Sequence, residues 1–317
     1  MRPEGRRWRA SAAALAVLLP VLAACAGGSP GRPSADGAAA AAPSAAQSGP
    51  APSAGATPEH PVTAAVLPEA GSTVGVGMPV SLRFGRTVTD RAAAERAVAV
   101  TADPPVPVVG HWFDGQRLDL RPQRYWAAGT RVTVALAFAG ARPRRFGFTV
   151  GRAQVSTADL DAHTLTVRQG GAVLRTLPIT AGSPEHPTYT GVLVVSEKDR
   201  VTRMNSATVG LGDEYDIKDV PHAMRLTASG TFVHGNYWAP RGVFGTANTS
   251  HGCIGLADGK GGSADSPAGW LFDRTLVGDV IEVVSHLKGD QVPPQNGLNG
   301  WNLAWDQWVA GSALAGR

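Results

Sequence analysis

Between Pro61 and Val150, hydrophobic and β-branched residues come in short runs broken by Gly, Pro and Asp. The runs are Thr63–Leu67, Pro79–Phe84, Ala97–Thr101, Val106–Trp112, Arg117–Leu120, Thr130–Phe138 and Arg145–Val150. Strands recurring every 8–12 residues or so, with turn residues between them, predict an antiparallel sandwich of immunoglobulin type. One helical turn, Asp90 to Arg96, interrupts the series. Trp112, Tyr125 and Trp126 fall in this unit; sugar stacking is one use for them, but core or interdomain packing is the expectation.

A second β-rich unit begins near Ala153. Its strand candidates are Val155–Thr157, Thr164–Gln169, Ala172–Thr180, Gly191–Glu197, His222–Thr227 and Gly230–His234, with turns at Gly170-Gly171 and Ser229-Gly230. Asp265 to Leu276 reads as a helix, with Pro267 in its first turn and Gly278 beyond its end. Val280–Val284 then reads as a buried strand. Trp301, Trp305 and Trp308 are spaced i, i+4 and i+7, which would put three indoles on one helical face for docking onto this second unit. The fold class expected is therefore mainly β. Its parts are a leader at 1–24, a tether at 25–58, a sandwich at 59–151, the second unit at 152–286 and a Trp-rich C-terminal subdomain at 287–317.

Charge and the N-terminus narrow the picture. The formal net charge is +4, but residues 1–24 hold Arg2, Arg6, Arg7 and Arg9 against Glu4, so most of it lies in the leader. What remains is nearly neutral, and no nucleic-acid partner is expected. The apolar run Ala12 to Ala24 is short for a bilayer span and ends Leu22-Ala23-Ala24-Cys25, which is similar to a bacterial lipobox. Lipidation at Cys25 would anchor the mature chain to the outer face of the cell membrane. The Ala/Gly/Ser/Pro stretch that follows has no apolar period and cannot bury a core, so it reads as a flexible tether spanning on the order of 30 Å. The chain has two cysteines, so lipidation of Cys25 leaves Cys253 without a disulfide partner.

Cys253 sits in Ser250-His251-Gly252-Cys253-Ile254-Gly255-Leu256, downstream of His234-Gly235-Asn236-Tyr237-Trp238. A thiol attacks carbonyls well only when ionised, so it needs a base beside it. His234 ends an apolar strand, and the loop to Cys253 is long enough to fold the two together. Gly252 permits close approach by a substrate and frees N–H groups for an oxyanion. Zinc on His222, His234, His251 and Cys253 is the competing reading, but no Cys-x-x-Cys or His-Glu-x-x-His spacing supports it, and neither metal nor cofactor is expected. Cys253 as a small buried hydrophobe is the remaining bland reading.

The run from His234 to Leu256, with an immunoglobulin-like unit before it and Trp301-Asn302-Leu303-Ala304-Trp305-Asp306-Gln307-Trp308 after it, resembles the L,D-transpeptidase family of actinobacterial lipoproteins. The resemblance implies a cysteine acyltransferase that forms 3→3 cross-links between peptidoglycan stems, releasing the terminal D-Ala of a tetrapeptide donor. Hydrolysis as an L,D-carboxypeptidase, or a non-catalytic wall-binding role, are the alternatives. It further implies Cys253 as nucleophile and His234 as base, oriented by the Gly235 carbonyl. The N–H groups of His251, Gly252 and Cys253 would form the oxyanion hole, with Ser250, Tyr215, Met204 and Trp238 around the pocket. β-Lactams of carbapenem type would acylate the thiol, and a monomer extending into the cell wall is expected. Gly255 departs from the family pattern, which has Asn there, and Val209 stands where relatives carry a second lid tyrosine.

Overall fold

The structure, a computed structural model, describes residues 63–210, 212–286 and 289–316. The leader, Cys25 and the tether lie outside the described residues. The first unit contains β1 (Thr63–Leu67), β2 (Thr73–Val74), β3 (Val80–Phe84), α1 (Arg91–Arg96), β4 (Val98–Asp103), β5 (Val109–Trp112), β6 (Arg117–Arg121), β7 (Arg131–Leu136) and β8 (Arg144–Val150). Its strands form two four-stranded sheets, ordered β1-β3-β6-β5 and β2-β8-β7-β4. Period-2 alternation turns Leu82, Leu118, Val134 and Phe148 into the space between them, where they are buried. Asp90 caps α1 by accepting the Ala93 N–H at 2.9 Å. β2 is an addition to the expected strands. Two residues are too few to show a period, and Thr73–Val74 is extended because it pairs in parallel with Thr149 and Val150.

The second unit is built on one nine-stranded sheet. In chain order it comprises β9 (Gln154–Asp159), β10 (Thr164–Gln169), β11 (Ala172–Thr180), β12 (Gly191–Val194), β13 (Glu197–Asn205), β14 (Asp216–Arg225), β15 (Phe232–Asn236), β16 (Ile254–Ala257), α2 (Pro267–Arg274) and β17 (Val280–Val284). The strand order is β12-β17-β9-β10-β11-β16-β15-β14-β13. Pairs β15/β16 and β17/β9 are parallel and the rest antiparallel. Leu165, Ile179, Val233, Ile254 and Leu256 on one face pack with Leu271 and Phe272 of α2. Ser266 caps α2 through Gly269 N–H at 2.9 Å, and Pro267 occupies its first turn, where no N–H is needed. The edge strand β13, EKDRVTRMN, was not among the expected strands. Its charged residues show no alternation and suit an exposed sheet edge, where its ladder with β14 holds it extended.

The two units share packing. Gly75 and Gly77 donate to the carbonyls of Val277 and Gly278 at 2.8 and 2.9 Å, and Val194 and Val280 enter the sandwich core. Trp112 and Trp126 are sandwich core, whereas Tyr125 lies at the junction and donates to Glu282 Oε1 at 3.2 Å.

The C-terminal segment corrects an expectation. Trp301, Trp305 and Trp308 do not form one continuous helical face: Trp301 sits in a 3₁₀ turn, and α3 (Trp305–Ala310) starts only after Ala304. The indoles also dock on the sandwich instead of the second unit. Trp308 Nε1 donates to Val109 O at 3.0 Å, Trp301 Nε1 donates to Gly77 O at 2.7 Å, and the Arg121 guanidinium lies over both rings. The segment reaches the second unit through other residues: Val292 enters its core and donates to Thr190 O at 2.9 Å, and Asn299 and Asn302 accept from Val194 N and Val192 N at 2.8 and 2.9 Å. The cation over the rings outweighed amphipathic spacing. Burial in that cage lowers the Arg121 pKa to about 10.

Candidate active site

The parallel pair β15/β16 positions the candidate chemistry. Val233 is opposite Ile254, and His234 is opposite Gly255, so residues in register point to the same face. Val233, Ile254 and Leu256 take the core face. That leaves His234, and Cys253 at the entry to β16, on the other, where Phe232, Met204 and Val220 form a small second cluster with Tyr215 and Ile217 against Cys253. On this face lies a cavity of about 410 Å³ lined by Met204, Tyr215, His234, Trp238, Ser250, His251 and Cys253, among others. It thus gathers every pocket residue named from the sequence except the two glycines.

Burial sets the protonation of the pair. The His234 pKa is lowered by burial, opposed by the hydrogen bond to Gly235, so the imidazole is neutral at pH 7. Its Nδ1 lies 2.8 Å from the Gly235 carbonyl, which can only accept, so Nδ1 carries the proton and Nε2 is the free base. The Cys253 thiol is pushed up to about 11 by burial, a rise reduced by the Phe232 N–H and by Arg225. Sγ accepts from Phe232 N at 3.4 Å and donates to Gly230 O at 3.7 Å. The resting pair is therefore a neutral thiol and a neutral imidazole on one face, with no hydrogen bond joining them.

The Ser-His-Gly-Cys turn is braced by Ser250, whose hydroxyl donates to Cys253 O at 2.6 Å and accepts from Gly252 N at 3.2 Å. Without a ligand, the Gly252 N–H is thus taken up by the Ser250 hydroxyl. The N–H groups of His251 and Cys253 have no acceptor among the described residues. Gly252 has φ +107, a left-handed conformation that a side chain would strain. Trp238 stacks on His234 at 5.6 Å and forms one wall, half exposed. His251 turns toward the rim, where its ring meets Tyr215 at 5.1 Å. Burial and the neighbouring Cys253 raise the Tyr215 pKa, so its hydroxyl stays protonated. A second cavity of about 330 Å³ adjoins across Tyr215 and His251, with Glu185, Asp290 and Val209 in its walls.

Two features were missed in the sequence. His222 is not drawn into the cavity; its Nδ1 bonds Asp258 Oδ2 at 2.7 Å, and Asp258 is packed against Gly235. A His-Asp pair 36 residues apart leaves no motif. The other feature is Asn236, buried at 6% exposure and part of the cavity lining. Its Oδ1 accepts from Ala239 N at 3.0 Å. A β-carbon at Gly255 would stand 3.2 Å from its Nδ2, so the amide lies in the space that a side chain at 255 would use. The only sequence signal was the absence of a side chain at 255.

Comparison with known proteins agrees with this architecture. Residues 153–283 match the model of the L,D-transpeptidase catalytic domain and residues 38–142 that of a bacterial Ig domain. The chain is 36% identical over 271 residues to L,D-transpeptidase 2 of Mycobacterium tuberculosis, a match covering 82% of this chain and 64% of that protein. It is 39% identical over 230 residues to L,D-transpeptidase 1 of the same species, covering 71% and 85%. Among solved structures, an L,D-transpeptidase in complex with imipenem superposes with a TM-score of 0.61 at 37% identity, covering 71% of this chain and 99% of that one. One from Mycobacterium smegmatis gives 0.57 at 35%, with the same coverage.

Proposed function

Because the chain belongs to the L,D-transpeptidase family, we propose that it is a cysteine acyltransferase forming 3→3 cross-links in peptidoglycan. The observation that carries this reading is the placement of Cys253 and His234 on one face of a parallel strand pair, lining one cavity. The donor stem lies in the larger cavity against Trp238. His234 Nε2 takes the thiol proton as Sγ adds to the carbonyl of the third stem residue. The N–H groups of His251 and Cys253 hold the oxyanion. Collapse expels D-Ala, whose amine receives the proton from His234, and leaves a thioester on Cys253. The acceptor amine then attacks the thioester, giving its proton to His234, and the thiol is restored. Glu185 and Asp290 in the adjoining cavity suit a cationic amine arriving from that side.

Lipidation at Cys25 and a tether would hold this unit off the outer face of the membrane, within the wall. The leader carries that reading through Leu22-Ala23-Ala24-Cys25. Among the described residues no helix is long and apolar enough to cross a membrane. The test is intact-mass analysis with a disaccharide-tetrapeptide: acyl-enzyme and a cross-linked dimer are expected, both absent in Cys253→Ala. Turnover to tripeptide alone would make the protein a hydrolase, and no adduct at Cys253 would sink the reading.

A further inference from the structure

His186, Glu214 and His251 converge at the wall between the two cavities. Glu214 Oε2 lies 2.9 Å from His251 Nε2 and 3.6 Å from His186 Nε2, and one donor atom from each lies within 4.8 Å of the others. The imidazole rings are 4.8 Å apart at 34°. Around a tetrahedral zinc ion, bonds of about 2.0–2.2 Å place the donors roughly 3.3 Å from one another. The two carboxylate–imidazole separations lie within a few tenths of an ångström of that value, and the imidazole nitrogens, within 4.8 Å of each other, reach it by side-chain rotation at the rim. Two neutral imidazoles and one carboxylate are a donor set that borderline-soft divalent ions favour, and a fourth position is left to water. These residues come from three separate stretches of the second unit, none of which carried metal-ligand spacing.

We propose that His186, Glu214 and His251 form a three-ligand site for a divalent transition-metal ion, zinc before the rest, at the rim of the Cys253 cavity. An ion here fixes His251, two residues from the thiol, and with it the Tyr215 ring packed on that imidazole. His251 and Tyr215 belong to the walls of both cavities, so the bound ion narrows the passage between them and slows acyl transfer. That last clause rests on the proposed transpeptidase reading; the metal site itself does not.

The experiment titrates the untagged full chain in detergent with zinc against a chromogenic chelator, and follows cobalt substitution by visible absorption. One ion per chain at micromolar affinity and tetrahedral cobalt bands are expected. His186→Ala and Glu214→Gln should each weaken binding at least tenfold, while Cys253→Ala should keep both affinity and bands. Binding lost in Cys253→Ala but retained in His186→Ala would put the ion on the thiol and overturn the site. Undiminished binding in both His186→Ala and Glu214→Gln, or none in the parent chain, would overturn it too. Zinc should also slow carbapenem acylation of Cys253 at least fivefold in the parent and by less than twofold in His186→Ala. Equal slowing in both would remove the gating role. If no acylation occurs in any chain while the ion binds as described, it is the transpeptidase reading that fails.

Discussion

Gly235 and Asp258 occupy one space: a β-carbon built on Gly235 would overlap Asp258 Oδ2. Asp258 cannot move away freely, because its Oδ2 holds His222 at 2.7 Å and its Oδ1 accepts from the N–H groups of Gly259 and Ser263. The aspartate in turn limits the residue whose carbonyl orients His234. Gly235→Ser should therefore destabilise the protein by about 1–3 kcal/mol, the usual cost of overpacking. Thermal melting reads the loss. Asp258→Ala removes the obstructing oxygen, so the double variant should lose less than the sum of the singles. An unchanged melting temperature in Gly235→Ser would show that the strand can shift to make room.

The protonation states predict a pH profile with a definite sign. His234 has its pKa lowered below 6.5, so the base stays neutral and competent at pH 7 and is lost only in more acid solution. Cys253 is pushed up to about 11, so thiolate grows throughout the range from 7 to 11. Iodoacetamide labelling of Cys253 should therefore climb steadily past pH 9, by about tenfold per unit where no base assists. Carbapenem acylation, with His234 as the proposed base, should fall only below about pH 6.5. A labelling plateau near neutrality would instead reveal a preformed thiolate-imidazolium pair.

Asn236 should tune substrate binding. Its Oδ1 is tied to Ala239 N, and the amide nitrogen lies beside Gly255 in the cavity wall. Asn236→Ala removes that donor, and kcat/KM with a tetrapeptide donor should fall about tenfold, the value of one hydrogen bond of roughly 1.4 kcal/mol. Gly255→Asn in the Asn236→Ala background places an amide two residues beyond Cys253 and should recover part of the loss. Full activity in Asn236→Ala would assign the residue to loop bracing alone.

The sequence disclosed what periodicity and solitary chemistry disclose. β7, RVTVAL, alternates over its whole length and β17, VIEVV, is apolar but for Glu282, and Cys253 with His234 stand out because few residues share their chemistry. Contacts made across long separations were silent. β2 is two residues held by its partner, and β13 is a charged edge strand held by β14. The Trp spacing suggested a helix and a docking face, but Leu303 and Ala304 break the helix, and the cation that attracts the indoles, Arg121, lies in the other unit. The brace on the Gly252 N–H was silent too: it comes from a serine hydroxyl three residues before Cys253, a detail below the reach of spacing.

The C-terminal cage should govern stability without touching the chemistry. Trp308 is fully buried, donates to Val109 O at 3.0 Å, and stacks on His111 at 4.9 Å. The Arg121 guanidinium stands 4.1 Å from its ring, and Arg121 Nε is buried with no hydrogen-bond partner among the described residues. Trp308→Ala opens a cavity beside that charge, and large-to-small changes of this kind cost about 3–5 kcal/mol. Because α3 packs on β5, hydrogen exchange should accelerate first at Val109–Trp112. Amides of β15 and β16 should keep their protection, and carbapenem acylation below the transition temperature should match the parent chain. If exchange instead rose first in β15 and β16, the tail would be supporting the Cys253 cavity directly, and the indoles would have to be counted as part of the site's scaffold.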